Sequence, residues 1–194
     1  MKAISLKKSI KIRWLLRIFL LITVVSVLFA NNLVAKTAKE IDASVDDAIE
    51  RFYKQVKGAE KLIKASKGVL VMPDVVKGAF IVGGEYGEGA LRIGGKSVDY
   101  YNTVSGSIGF QIGGQKKDII ICFMTDEALN KFRKSKGWEA GVDGNVALIS
   151  VGGGERADTT TSKDPIVGFV FDAKGLIADI SLKGAKFSKI DKKE

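Results

Sequence analysis

Gly78-Ala-Phe-Ile-Val-Gly-Gly-Glu-Tyr-Gly-Glu-Gly-Ala-Leu-Arg-Ile-Gly-Gly-Lys96 decides the fold class of this chain. Apolar and β-branched triplets run into glycine pairs, Phe80-Ile81-Val82 into Gly83-Gly84 and Leu91-Arg92-Ile93 into Gly94-Gly95. Further on, Phe110-Gln111-Ile112 runs into Gly113-Gly114. Short strands ending in tight turns are the simplest reading, since β-branched residues suit a pleated surface and glycine reaches turn conformations without steric cost.

Strands continue on both sides of this stretch. Gly68-Val-Leu-Val-Met-Pro73 reads as a first strand stopped by proline, and Tyr100 to Gly114 as a hairpin-like region. Lys117 to Thr125 is the most apolar strand and belongs at the centre of the sheet. Asn145 to Val151 reads as another strand, and Gly152 to Lys163 as a polar loop. Pro165 to Phe171 and Leu176 to Leu182 then flank Asp172-Ala-Lys-Gly175, a hairpin turn. The lysines at 183, 186, 189, 192 and 193 suggest a solvated strand edge and a frayed tail.

Two helices accompany the strands. Thr37-Ala-Lys-Glu40 has capping-box spacing and opens a pattern that puts Ile41, Val45, Ala48, Ile49, Phe52, Val56 and Ile63 on one face. Lys54, Lys57, Lys61 and Lys64 fall on the opposite face, with Gly58 a point of division into two helices. Asp126 is placed to cap a helix from Glu127 to Lys136, with Leu129 and Phe132 inward and Lys131, Arg133, Lys134 and Lys136 outward. The fold expected is α+β, a mainly antiparallel sheet, open or barrel-like, with an N-terminal amphipathic helix and a second helix packed on it.

Residues 1 to 35 read as an address. Lys2, Lys7, Lys8, Lys11, Arg13 and Arg17 make a positive start with no acid, followed by an apolar-rich run from Ile18 to Ala30. This is the pattern of a secretory signal peptide, and a membrane span needs about 20 apolar residues. Of 31 basic residues, six lie there; the remaining 25 stand against 22 acids, so the net charge drops from +9 to +3. Residues 36 to 194 are expected to form one domain. Their small basic excess argues against nucleic acid as a partner.

The lone cysteine, Cys122, sits inside Ile119-Ile-Ile-Cys-Phe-Met124 and reads as a core residue. With no histidine at all, Ser-His and Cys-His catalysis and histidine metal sites are excluded. Gly84, Gly87 and Gly89 are spaced G-x-x-G-x-G, the reverse of the dinucleotide fingerprint, and no phosphate-binding P-loop motif occurs. Glu85, Glu88 and Asp99 are the candidates for paired carboxylates, and Ser105 and Ser107 with Lys96 the candidates for a nucleophile; nothing in their spacing separates them from ordinary strand residues. The expectation is a protein that is not an enzyme and holds no metal or cofactor.

Four stretches carry a resemblance: Gly68-Val-Leu-Val-Met-Pro-Asp-Val-Val, Phe80-Ile-Val-Gly-Gly-Glu-Tyr-Gly-Glu-Gly-Ala-Leu, Tyr100-Tyr-Asn-Thr-Val-Ser-Gly-Ser-Ile-Gly-Phe-Gln-Ile-Gly and Lys136-Gly-Trp-Glu-Ala-Gly-Val-Asp-Gly. With Pro165-Ile-Val-Gly-Phe-Val-Phe-Asp-Ala-Lys-Gly-Leu they resemble the SYLF lipid-binding domain family over nearly all of residues 38 to 190. That resemblance implies a non-enzymatic domain that binds membrane phospholipid. Its eukaryotic relatives recognise phosphoinositides through a basic amphipathic segment and touch the actin cytoskeleton. The positions matching that segment are Lys54, Lys57, Lys61 and Lys64, with Lys67 adjoining.

Combined with the address, the expectation is an exported, peripheral protein of the cell envelope, in the periplasm or on its membrane surface. It would hold anionic phospholipid through the helical lysines, with Trp138 beside its basic helix adding an interfacial ring. Two alternatives stand beside it. One is a structural or interaction protein that binds another envelope protein through its sheet edge or helix face. The other is a small-molecule or hydrolytic site lined by the glycine-rich strands and Glu85 or Glu88.

Overall fold

Leu70 and Met72 belong to one buried cluster and their strand neighbours Val69 and Val71 to another. A strand that is apolar on both faces must be covered on both sides. The computed structural model describes residues 36–78, 84–106, 115–149, 163–172, 175–176 and 181–192. The expected leader, the Gly83 and Gly113-Gly114 turns, most of the 152–163 loop and the strand ending at Leu182 up to residue 180, apart from its first residue, lie outside those residues.

Nine strands are described: β1 (Gly68–Gly78), β2 (Gly84–Ile93), β3 (Lys96–Gly106), β4 (Gln115–Phe123), β5 (Trp138–Glu139), β6 (Ala147–Leu148), β7 (Ile166–Asp172), β8 (Gly175–Leu176) and β9 (Lys186–Ile190). Eight follow the order β5-β9-β3-β2-β1-β4-β7-β6, and β8 pairs with β7. Only β6 and β7 run parallel; the other pairings are antiparallel. The sheet curls into a half-barrel. Trp138 and Phe187, near one end of the order, therefore share an interior cluster with Ile166 and Val170, near the other. The α+β, mainly antiparallel expectation holds, and β4 is central as its apolar run required.

Three helices are described: α1 (Ala38–Gln55), α2 (Ala59–Ala65) and α3 (Asp126–Lys134). Thr37 caps α1 with the expected capping box. The apolar stripe Ile41, Val45, Ala48, Phe52 and Val56 packs on the outer face of the sheet against Val71, Ile120, Val167 and Phe169. Phe52 meets Phe169 edge-on at 4.8 Å between centroids and stacks on Phe171 at 5.7 Å. Burying a phenylalanine in this way contributes about 1.5–3 kcal/mol. α3 closes the inner side, where the Phe132 ring lies 4.8 Å from both Tyr101 and Phe123.

Four expectations are corrected. Pro73 does not stop β1, because Pro73 and Asp74 sit in a bulge where the register with β2 jumps from Val71 to Val76 and that with β4 from Met72 to Val75. The missing proline N–H is thus not asked for a ladder bond. Thr125, not Asp126, caps α3, accepting the Ala128 N–H at 3.2 Å. Within the described part of Asn145–Val151 only Ala147–Leu148 is strand. The C-terminal lysines up to Lys192 are not a free strand edge: β9 lies between β3 and β5, and Lys189 and Lys192 are tied to Asp99 and Glu88, while Lys193 lies outside the described residues.

Candidate functional site

α1 ends at Val56, its extended C-cap, and Gly58 takes φ +88°, a left-handed conformation open to glycine at little cost, at the N-cap of α2. The break resets the apolar phase. Leu62 is buried and Ile63 only partly so, whereas an unbroken helix would put Ile63 on the inward stripe. The result is an elbow with a concavity of about 470 Å³ lined by Tyr53, Val56, Lys57, Gly58, Ala59, Glu60, Lys61 and Lys64.

Three of the six residues expected at a lipid site, Lys57, Lys61 and Lys64, are brought together around that concavity. Lys54 stands on the last turn of α1, 76% exposed, 3.6 Å from Glu50. Lys64, 74% exposed, is 2.7 Å from Glu60. Lys67 adjoins α2 and lies 3.6 Å from Asp126. Lys57 and Lys61 are exposed and make no ion pair with any described residue. Exposed pairs of this kind contribute little to stability, so the three bound lysines exchange their carboxylates readily for another anion.

Glu60 shapes the electrostatics of the elbow. Its hydrogen bond with Lys64 lowers the Glu60 carboxyl below the usual range and raises the Lys64 ammonium, so both remain charged. Tyr53 is raised by burial of its ring and then by the Glu60 charge, and is neutral at physiological pH. Sequence reasoning missed Tyr53 and Glu60. The four-residue spacings Glu50–Lys54 and Glu60–Lys64 were readable signals for helical ion pairs.

Trp138 is corrected. Its side chain is 1% exposed, packed edge-on to Phe132 at 5.6 Å and near Phe187 at 6.1 Å inside the curl. A ring so placed offers nothing to a lipid surface. The apolar stripe of α1 is equally buried, so what the elbow presents at its surface is chiefly its charged side chains and Tyr53. No described helix is long and apolar enough to cross a membrane.

The carboxylates once considered as an acid pair are instead each matched to a cation. Glu85 takes Lys117 at 2.8 Å and the Ser105 hydroxyl at 2.9 Å. Glu88 takes Lys192 at 2.9 Å and the Tyr86 hydroxyl at 2.8 Å. Asp99 takes Arg133 at 3.1 Å and also Lys189. Arg133 stays exposed, as its spacing suggested, while its Nε reaches Asp99 on β3. Gly87 and Gly89 face β1 closely, an ideal Cβ on Gly89 falling 2.0 Å from the Val71 carbonyl oxygen, so no cleft runs between these strands.

No curated protein matches the chain at a significant level. The family model described as "Ysc84: Las17-binding protein actin regulator" matches residues 104–193, from the end of β3 through β9. That match, over residues 104–193, supports the assignment of this part of the chain to the SYLF (Ysc84) domain family.

Proposed function

We propose that the protein is an exported, peripheral phospholipid-binding protein that engages anionic headgroups at the α1–α2 elbow. The observation that carries this reading is the pair Lys57 and Lys61, exposed and without carboxylate partners among the described residues, beside Tyr53 at the mouth of a concavity. Each lysine near an anionic surface contributes about 1 kcal/mol, and Lys54, Lys64 and Lys67 add to the same field once their exposed partners are displaced. Export rests on the basic start and apolar run of residues 1 to 35, and it sets the envelope membrane as the surface met.

The second reading takes the family description literally, since it names a Las17-binding actin regulator. By analogy this chain would bind a protein partner through its helix face. The sheet edges suit that role less, because β5 and β6 have two residues each. Crosslinking to one partner without vesicle binding would select this reading. Salt-sensitive co-sedimentation of residues 36–194 with anionic vesicles, lost in Lys57→Glu/Lys61→Glu, supports the lipid reading.

A further inference from the structure

Val76, Tyr86 and Val104 are large apolar side chains left open to solvent, 37%, 39% and 48% exposed. They are also direct cross-strand neighbours: Val76 stands opposite Tyr86 between β1 and β2, and Tyr86 opposite Val104 between β2 and β3. Directly opposed residues share a face and stand about 5 Å apart, so the three form one continuous apolar line. Lysine extends the line at both ends, Lys116 opposite Val76 on β4 and Lys186 opposite Val104 on β9, and both are exposed. The next row outward, Gly78–Gly84–Gly106, has no side chains to overhang it.

The line lies on the helix-bearing face of the sheet, where Ala90, Tyr100 and Ile120, of the same parity on their strands, meet α1. It crosses strands in the middle of the sheet, so addition of a partner strand at an edge is not available to it. Among the described residues of β1 and β2, the two acids nearest the line are each held by lysine. Glu88 is bound to Lys192, and Asp74 lies between Lys36 at 3.9 Å and Lys116 at 3.6 Å. Tyr86 presents its ring while its hydroxyl is turned to Glu88. Apolar groups bracketed by lysines suit a headgroup boundary, where rings and methyls enter the acyl region and ammonium groups reach phosphate.

We propose that the Lys116–Val76–Tyr86–Val104–Lys186 line is a second contact with an anionic bilayer, supplying the apolar insertion that the elbow lacks. The inference rests on the lipid reading above and adds to it a face of the sheet. Residues 36–194 form a compact unit that closes both cores from within, so this stretch is the protein to test. Val104→Trp would be mixed with phosphatidylcholine vesicles with and without phosphatidylglycerol, and with the same vesicles carrying brominated acyl chains. The unsubstituted protein, whose one indole in this stretch is the buried Trp138, is the control.

Brominated chains should quench the introduced indole in phosphatidylglycerol vesicles and leave the control unquenched. Val76→Asp/Val104→Asp should bind those vesicles about tenfold more weakly, with an unchanged circular dichroism spectrum. Co-sedimentation of the protein without quenching of the introduced indole overturns this second contact while the elbow reading stands. Failure of the unsubstituted protein to bind any vesicle overturns both.

Discussion

Arg51 places two guanidinium nitrogens on one carboxylate oxygen of Asp118, Nε at 2.8 Å and Nη2 at 2.7 Å. The other oxygen of Asp118 accepts the Asp74 N–H at 2.9 Å, from a residue held at φ +52° in the β1 bulge. One buried carboxylate thus fastens α1 to the sheet and holds the bulge that replaces a proline stop. Arg51→Ala leaves Asp118, 4% exposed, without its cation. The expected cost is about 2–3 kcal/mol, read from the urea midpoint, and Arg51→Lys should recover less than half because it lacks the fork geometry.

Gly89 and Gly94 should separate close approach from turn conformation. At Gly89 an added methyl meets the Val71 carbonyl oxygen and the Met72 Cα, both backbone, so Gly89→Ala must push β1 from β2. Loss of more than about 3 kcal/mol, or no soluble protein, is expected. Gly94, at φ +58° in the β2–β3 turn, has nothing within 4 Å, so Gly94→Ala should cost only about 1 kcal/mol.

Much of this was legible in the sequence for a definite reason. The Gly94-Gly95 turn, the β4 run, the capping box at Thr37 and the break at Gly58 are each set by residues within a few positions of one another. The bulge at Pro73 was not, because whether a proline ends a strand depends on distant partners, such as Asp118, which holds Asp74 from 44 residues away. Trp138 was misread for a similar reason: beside four basic residues it looks interfacial, and only the curl of the sheet carries it inside. The elbow lysines were found by periodicity. Their division into paired and unpaired members needed the geometry.

The C-terminal segment should matter to stability more than a tail would. Lys192 and Glu88 are both 9% exposed and 2.9 Å apart. Lys192→Ala strands the Glu88 carboxylate at a cost of about 1–3 kcal/mol, and Glu88→Gln in the same chain should recover part of it. A double-mutant cycle with no coupling would contradict this pairing.

Alkaline pH should unfold the protein by a predictable route. Burial, first among the causes in each case, pushes Tyr86, Tyr101 and Cys122 up to about 12. Their folded values lie above the unfolded ones, so the folded state keeps protons that the unfolded state gives up. The stability these three groups contribute is therefore fully present below about pH 9 and is lost as pH rises through about 9 to 12. Urea midpoints across that range, with tyrosinate absorbance as a second probe, check the window. Cys122 should resist alkylation until the protein unfolds.

The central claim is that Lys57 and Lys61 hold an anionic membrane surface, and one titration tests it. Residues 36–194 and the Lys57→Glu/Lys61→Glu variant would be co-sedimented with phosphatidylcholine vesicles containing increasing phosphatidylglycerol, at low and moderate salt. Binding that grows with anionic lipid, weakens with salt and falls about tenfold or more in the variant is the predicted result. Equal binding by the two proteins, or none by either, would contradict it.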